Sequence, residues 1–312
     1  ASFGMSLVCL MLLLHSTEAF RIPTLPYIGG TSLIRSASRL GSLSLAVRPA
    51  RSTSLAASPR ASLEGVIRTH VIPPGKSHAG TTVHICRDAA AVSDVVCHLV
   101  SSSCRAAADQ RGYAALAVPG GSVLKMLGGL TDQARFPMPW RTMHFAYVNH
   151  KCVPRDDASS THAKALALLL EPVVFPLMNA ATTTGSSDPV KEARDYEQTM
   201  RLLPPEVLPV SGGLPVYDMV LLGMGSDGHI GSLYPGRPEV VYAGDAWVLP
   251  VTKEKPPPSI TMSLPVMNAG AKVVVAMTGE KKAGAVRRAL EMDEAPDAFP
   301  GQRVSPKGGA VW

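Results

Sequence analysis

Beyond residue 63, short apolar runs alternate along the chain with longer segments of helical periodicity. The runs are continuous, which is typical of strands buried on both faces of a parallel sheet. They occur in YAALAV, MHFAYV, YDMVLLGM, AWVLPVT and AKVVVAMTG. Apolar residues at three- and four-residue spacing predict helices in DAAAVSDVVCHLVSSSCRAAADQ, SSTHAKALALLLEPV, PVKEARDYEQTMRLL and EKKAGAVRRALEM. This alternation predicts an α/β fold, and residues 64–312 have a length that suits one domain.

Polar segments separate these elements. NHKCVPRDD, after the MHFAYV strand, is predicted to be a loop, and NAATTTGSSDP is predicted to be a polar surface loop. The proline cluster in KEKPPPS predicts a further loop. Upstream, THVIPPGKSHAGTTVHICRD predicts one or two strands.

Residues 1–63 have the composition of a targeting leader that is removed or stays disordered. Leu7 to Leu14 form an apolar run of secretory-signal length, too short to cross a bilayer. Residues 21–63 contain no Asp or Glu and are rich in Ser, Arg, Ala and Leu, as in an organelle transit peptide. With Phe20 at the junction, the leader resembles the two-part presequences of algae with complex plastids. A plain signal peptide followed by a linker, leading to the secretory lumen, is the alternative.

Charge and cysteine content narrow the class of function. The net charge is +6, but residues 1–69 hold seven of the 30 basic residues and two of the 24 acidic ones. The body is therefore nearly neutral, and without a basic stripe it is not expected to bind nucleic acid, nor a membrane once the leader is removed. The five cysteines have no metal-ligand spacing, and Cys97 and Cys104 are expected to pack in the core. Nothing in the sequence indicates an oligomeric state.

Two glycine turns follow predicted strands, where ligands bind in open α/β sheets. VPGGSVLK places Gly120, Gly121 and Ser122 between a strand and a helix, where backbone N–H groups can approach phosphate. Tight turns also use glycine for steric reasons alone, so this signal is weak.

The second turn, GMGSDGHIGS, carries ionisable groups. Gly225 and Gly228 leave little bulk around Asp227 and His229, and histidine is the side chain best suited to exchange a proton near neutral pH. No second His or Cys lies at ligand spacing, so a metal site is not expected.

The sequence GMGSDGHIGSLYPG closely resembles the signature of the 6-phosphogluconolactonase family, within the glucosamine/galactosamine-6-phosphate isomerase superfamily. The resemblance continues in order over residues 80–312. It includes LAVPGGSVLKML, WRTMHFAYVNHKCVPRDDASST, RDYEQTMR, KPPPSITMSLPVMNAGAKVVVAMTGEKKAGAV and FPGQRVSPKGGAVW.

The resemblance implies a single doubly wound, Rossmann-like domain that hydrolyses 6-phospho-D-glucono-1,5-lactone to 6-phosphogluconate, in the oxidative pentose phosphate pathway. No metal or organic cofactor is implied. His229 would be the general base on water, and Asp227 would orient it or bind a sugar hydroxyl. Backbone N–H groups of a glycine turn, with Gly225 and Gly228 as substrate-binding candidates, would meet charge on the carbonyl oxygen. The phosphate would lie at residues 120–122 and Lys151.

The chain departs from the family pattern at the expected phosphate site. The family's Asp-Glu-Arg is Asn149, His150 and Lys151 here, and the Arg of its Arg-Ile-Thr is Ser259. Lys151 thus offers a point charge where the family's arginine can hold a phosphate through two hydrogen bonds. Ser259 removes a second cation. His150 is expected at the surface rather than as a second base. The Asn of the family's Ser-Asn pair is Ser160 here.

Lys253 or Lys255 would be the compensating cations, although lysines on a proline-rich loop are commonly just solvated. These departures leave two alternatives to an active lactonase open. One is a weakened or inactive paralogue that binds sugar phosphates. The other is a glucosamine-6-phosphate deaminase, which shares the Asp-Gly-His turn but continues with Phe-Asn-Glu-Pro-Gly. This chain has Ser232, Leu233 and Tyr234 at those positions and lacks the Glu, so a deaminase is the weaker hypothesis.

Overall fold

The computed structural model describes residues 63–252 and 256–312. The leader expected over residues 1–63 therefore lies outside the described residues, except for Leu63, and so do Lys253 and Lys255. Within the described ranges, none of the helices combines the length and apolar character needed to cross a membrane.

The described residues form a mixed α/β fold. The strands are β1 (Val66–Val71), β2 (Thr82–Cys86), β3 (Ala114–Val118), β4 (Met143–Tyr147), β5 (Asn149–Lys151), β6 (Val210–Ser211), β7 (Leu214–Pro215), β8 (Met219–Leu222), β9 (Val248–Val251), β10 (Ser259–Met262) and β11 (Val273–Val275). The α-helices are α1 (Ala89–Arg111), α2 (Ser122–Met126), α3 (Thr161–Ala165), α4 (Pro189–Arg201), α5 (Leu264–Ala269) and α6 (Ala283–Glu291). The described residues also form short 3-10 helices and a π-helical turn at Leu166–Leu170.

A four-stranded parallel sheet forms the centre, in the order β4, β3, β8, β11. All residues of these strands are buried, so both faces are covered, as their continuous apolar runs predict. The chain passes from β3 to β4 on one side and later places β8 on the other side of β3. The strand order therefore reverses between β3 and β8, which is where open α/β sheets bind ligands.

Irregular segments extend this sheet at both edges. Val311 pairs in parallel with Thr82 and Val274, and so connects the antiparallel β1–β2 hairpin to β11. At the other edge the Ala181 N–H donates to the Phe145 carbonyl at 2.8 Å. The expected polar surface loop NAATTTGSSDP is thus partly wrong, because Ala180 and Ala181 lie along β4 and are buried.

A second, antiparallel sheet has the order β5, β10, β9. The predicted loop NHKCVPRDD is corrected here, since its first three residues are β5 and pair with β10 through Lys151 opposite Ser259 and Asn149 opposite Thr261. Neither β5 nor β10 is long enough to give a periodic sequence signal.

Helix α1 packs against the parallel sheet as its sequence predicts. Asp88 accepts from the Ala91 N–H at 2.7 Å as N-cap, and Gly112 ends the helix with a φ of 87°. Cys97 and Cys104 are both buried, which confirms their role in the core. Burial raises the pKa of the Cys97 thiol to about 12, so it stays protonated at neutral pH.

His144 on β4 makes stability dependent on pH. Its side chain is 4% exposed, and burial lowers its pKa to about 4. An unfolded histidine has a pKa near 6.5, so between pH 6.5 and 4 the unfolded chain binds a proton that the folded protein does not. The free energy of unfolding therefore falls as the pH falls through this window.

We expect the unfolding free energy to drop by about 2 kcal/mol more in wild type than in a His144→Leu variant between pH 7 and pH 5. Chemical denaturation at the two pH values measures this. His70→Leu, at an exposed position of β1, should keep the wild-type response. Equal losses in wild type and His144→Leu would show that another group carries the pH dependence.

Candidate active site

The two glycine turns predicted from sequence lie at the carboxyl ends of neighbouring strands. β3 and β8 pair in parallel through Leu116 with Met219 and Ala117 with Val220, so both turns leave the same edge of the sheet. A Cβ atom at Gly223 would lie 3.1 Å from Val123 Cγ2 on α2. The start of the second turn therefore packs directly on the helix that follows the first.

Asp227 and His229 form a hydrogen-bonded pair on the second turn. His229 Nδ1 lies 2.6 Å from Asp227 Oδ1, and the side chains are 32% and 49% exposed. A carboxylate can only accept, so Nδ1 carries the proton and a neutral imidazole has its lone pair on Nε2. Partial burial alone would raise the pKa of Asp227, but hydrogen bonds from His229 outweigh it and lower this pKa. The geometry supplies an oriented imidazole that can take a proton at Nε2.

Gly225 is required by the closeness of this pair. A Cβ atom there would lie 2.2 Å from His229 Nδ1 and 2.3 Å from Asp227 Oδ1, far inside van der Waals contact. The Gly225 N–H donates to the His229 carbonyl at 2.8 Å, and the Gly228 N–H donates to the Gly225 carbonyl at 3.1 Å. Both N–H groups are thus used inside the turn. These two glycines shape the turn, and their direct contact with a substrate stays a prediction.

Phe299 and Gly301 pack against the second glycine turn. Gly228 has a φ of 91°, and a Cβ atom there would lie 2.5 Å from the ring of Phe299, so both conformation and space demand glycine. The Gly301 N–H donates to the Gly228 carbonyl at 2.8 Å. The Tyr234 ring lies 5.1 Å from the His229 ring, centroid to centroid, at an angle of 38°. Sequence reasoning did not identify Phe299 or Tyr234 as parts of this site.

The first turn is open to ligands. Gly121 and Ser122 are exposed, Gly120 is partly exposed, and Gly121 has a φ of 73° just before α2 begins. A Cβ atom at Gly120 would lie 3.3 Å from Thr161 Oγ1, so the start of α3 is close. Ser160 is the N-cap of α3 and accepts from the Ala163 N–H at 3.3 Å.

Strand β5 connects this region to the His229 turn. Asn149 Nδ2 donates to Ser232 Oγ at 3.1 Å, and the Ser232 N–H donates to Thr261 Oγ1 at 3.2 Å. Lys151 is exposed and stands opposite Ser259 in the antiparallel register. Lys151 and Ser259, which both depart from the family pattern at the expected phosphate site, are therefore cross-strand neighbours.

His150 is not at the surface, and that expectation is wrong. Its side chain is 1% exposed, because β5 pairs with β10 and turns this residue inward. Nδ1 lies 2.7 Å from the Lys151 carbonyl oxygen, and Nε2 lies 3.1 Å from the His162 backbone nitrogen. Burial lowers the pKa of His150, which favours the neutral ring. No feature of the sequence indicated this buried position.

Other features of the described region lie apart from these residues. A cavity of about 800 Å³ is lined by α1, α6, β2 and β11, and includes none of the candidate residues. Across residues 63–252 and 256–312, no three His, Cys, Asp or Glu side chains are grouped as metal ligands would be.

The chain matches known proteins over most of its described length. The family described as "Glucosamine-6-phosphate isomerases/6-phosphogluconolactonase" matches residues 87–312. A relative in Oryza sativa subsp. indica, named "Probable 6-phosphogluconolactonase 3, chloroplastic", is 34% identical over 209 residues, covering 65% of this chain and 64% of that protein. The 6-phosphogluconolactonase of Rattus norvegicus is 33% identical over 207 residues, covering 64% of this chain and 77% of that protein.

The fold is similar to solved structures as well. A 6-phosphogluconolactonase from Trypanosoma brucei superposes with a TM-score of 0.62 at 25% identity, covering 74% of this chain and 94% of that protein. The match spans 64% of the length of the first curated relatives. Since the family match extends over well more than half of the chain, from residue 87 to residue 312, the chain belongs to the family of glucosamine-6-phosphate isomerases and 6-phosphogluconolactonases.

Proposed function

We propose that this protein hydrolyses 6-phospho-D-glucono-1,5-lactone to 6-phosphogluconate, with His229 as the general base. The observation that carries the proposal is the 2.6 Å contact between His229 Nδ1 and Asp227 Oδ1 on an accessible turn. It leaves Nε2 as the only ring nitrogen of the neutral imidazole that can accept a proton. The names of the relatives in Oryza sativa and Rattus norvegicus support the same reaction.

The proposed reaction uses this geometry. Water loses a proton to His229 Nε2 while its oxygen attacks the lactone carbonyl carbon, which gives a tetrahedral intermediate. The intermediate collapses, the bond from that carbon to the ring oxygen breaks, and the ring oxygen takes the proton back from Nε2. The Asp227 carboxylate stabilises the imidazolium between these steps. General base catalysis of this kind contributes about 10²- to 10⁴-fold in rate.

The substrate phosphate is proposed to bind at the first turn, on the exposed residues Gly121 and Ser122 beside Gly120, with Lys151 on β5 as the candidate cation. Lys151 offers a point charge where the family pattern has a bidentate guanidinium, and Ser259 opposite it adds no charge. Each charge-assisted hydrogen bond contributes about 1.5–3 kcal/mol. We therefore propose a lactonase with weaker phosphate affinity than members that keep both arginines.

We expect the His229→Ala variant to lose the enzymatic acceleration of lactone hydrolysis, a fall of about 10²- to 10⁴-fold towards the spontaneous rate. Asp227→Asn should be less damaging, because the amide oxygen still accepts from Nδ1–H but no longer carries a charge. Lactone hydrolysis measured above the buffer rate tests both variants. His70→Ala, at an exposed position of β1, is the matched control and should leave the rate unchanged.

Wild-type protein no faster than buffer would contradict the proposal and favour a paralogue that only binds sugar phosphates. Ammonia release from glucosamine 6-phosphate would favour the deaminase instead. That outcome is not expected, because Ser232 to Tyr234 supply no carboxylate where the deaminase pattern has Glu.

We further propose that residues 1–63 direct the protein to a plastid and that residues 64–312 belong to the mature enzyme as its 6-phosphogluconolactonase-like α/β domain. The leader's composition supports this, and several plant relatives carry the word chloroplastic in their names.

A fusion of residues 1–63 to a fluorescent protein is expected to reach the plastid of an alga with a complex plastid, because the apolar run and the acid-free segment act in succession. Fluorescence microscopy with plastid and secretory markers gives the readout. Phe20→Ala should hold the fusion in the secretory pathway. Retention of the unaltered fusion in that lumen would support the plain signal peptide.

A further inference from the structure

His150 joins three segments that the sequence keeps apart. Its Nδ1 lies 2.7 Å from the Lys151 carbonyl on β5, and its Nε2 lies 3.1 Å from the His162 backbone nitrogen in the first turn of α3. Nδ1 also lies 3.4 Å from Thr183 Oγ1 on the segment that borders β4. The three segments meet at one imidazole that is 1% exposed.

The hydrogen bonds of His150 define which of its ring nitrogens carries a proton. A backbone N–H can only donate, so Nε2 accepts from His162 and carries no proton. A backbone carbonyl can only accept, so Nδ1 donates to Lys151. His150 is therefore a neutral ring with the proton on Nδ1, and protonation would place a second N–H against the His162 N–H.

The groups around the ring are compatible with this state. The Tyr147 ring packs edge-on, 5.4 Å away between centroids, and its hydroxyl is hydrogen-bonded to His162 Nδ1 at 2.7 Å. The buried Glu192 is the nearby acid, and it is engaged by the backbone N–H groups of Thr184 and Ser186. Burial lowers the pKa of both His150 and His162, which favours neutral rings. Arg155 and Lys151 are the nearby cations, and both are exposed.

His150 holds β5 in place, and this strand borders the candidate site. Its neighbours on β5 are Asn149, which donates to Ser232 on the His229 turn, and Lys151, the candidate phosphate cation. Side chains alternate along a strand, so a contact that fixes residue 150 inward directs residues 149 and 151 to the other side. Neither Asp227 nor His229 contacts His150 among the hydrogen bonds of the described residues.

We propose that His150 is a positioning residue, which locks β5 to the start of α3 and thereby places Lys151 for substrate binding and Asn149 for its hydrogen bond to Ser232. Proton transfer at His229 does not depend on it. The proposal rests on the proposed lactonase function for its kinetic test, and its structural part is independent of activity.

The kinetic test compares two variants. His150→Phe keeps a ring of similar shape but removes both nitrogens, and His150→Gln keeps an acceptor in reach of the His162 N–H. We expect His150→Phe to raise KM roughly tenfold, as for one lost buried hydrogen bond, with kcat changed less than about twofold. His150→Gln should recover most of the KM. A fall in kcat equal to the rise in KM, or no rescue by Gln, would overturn the proposal.

Two further measurements keep the test decisive if His150→Phe folds poorly or the protein is not a lactonase. Nitrogen-15 NMR of the wild-type imidazoles should show His150 neutral with the proton on Nδ1, and a proton on Nε2 would overturn the proposal whatever the activity. Calorimetric titration with 6-phosphogluconate should show weaker binding to His150→Phe than to His150→Gln. Wild-type protein that neither hydrolyses the lactone nor binds 6-phosphogluconate would refute the proposed function, while the NMR result still decides the role of His150.

Discussion

The parallel pairing of β3 with β8 is the constraint on which the candidate site depends. Because the two strands run side by side in the same direction, the turns after them emerge at one edge of the sheet. One turn carries the exposed backbone of Gly121, and the other carries His229. These turns are about a hundred residues apart in the chain, so no local interaction could bring them together. A different strand order would leave each turn without the other.

Within the second turn, the missing side chain of Gly225 sets how close Asp227 can come to His229. A single methyl group there would collide with both side chains, so the oriented imidazole and the glycine are one structural requirement. Gly228 is required for the same steric reason, because its missing side chain leaves room for the Phe299 ring. Gly225 and Gly228 were expected from the sequence to contact the ligand. The structure explains them first by the lack of space for a side chain between protein groups.

The parts of the fold that could be predicted are those with long or strongly apolar signals. The central strands and α1 are confirmed, because buried strands read as unbroken apolar runs and α1 has a helical repeat over 23 residues. β5 and β10 could not be predicted, since each has only three or four residues and β5 depends on pairing with β10, about a hundred residues away. Asp227 and His229 were selected as candidates from their glycine-rich context, but their mutual hydrogen bond was not predictable from sequence. The burial of His150 was missed because it depends on that unpredicted pairing.

The strand geometry separates the departures from the family pattern into two kinds. His150 points inward, where its unprotonated ring nitrogen accepts a hydrogen bond from the His162 N–H of α3, so this residue acts within the scaffold. Lys151 and Ser259 face each other across β5 and β10, where the family pattern has two arginines. Two cations directly opposite on neighbouring strands repel each other unless an anion lies between them. The Lys151–Ser259 pair avoids that repulsion when the site is empty, and the loss of one cation weakens the attraction that would hold a phosphate dianion at the proposed site. At the proposed phosphate site the two substitutions would therefore act together, on ligand affinity rather than on the proposed proton transfer at His229.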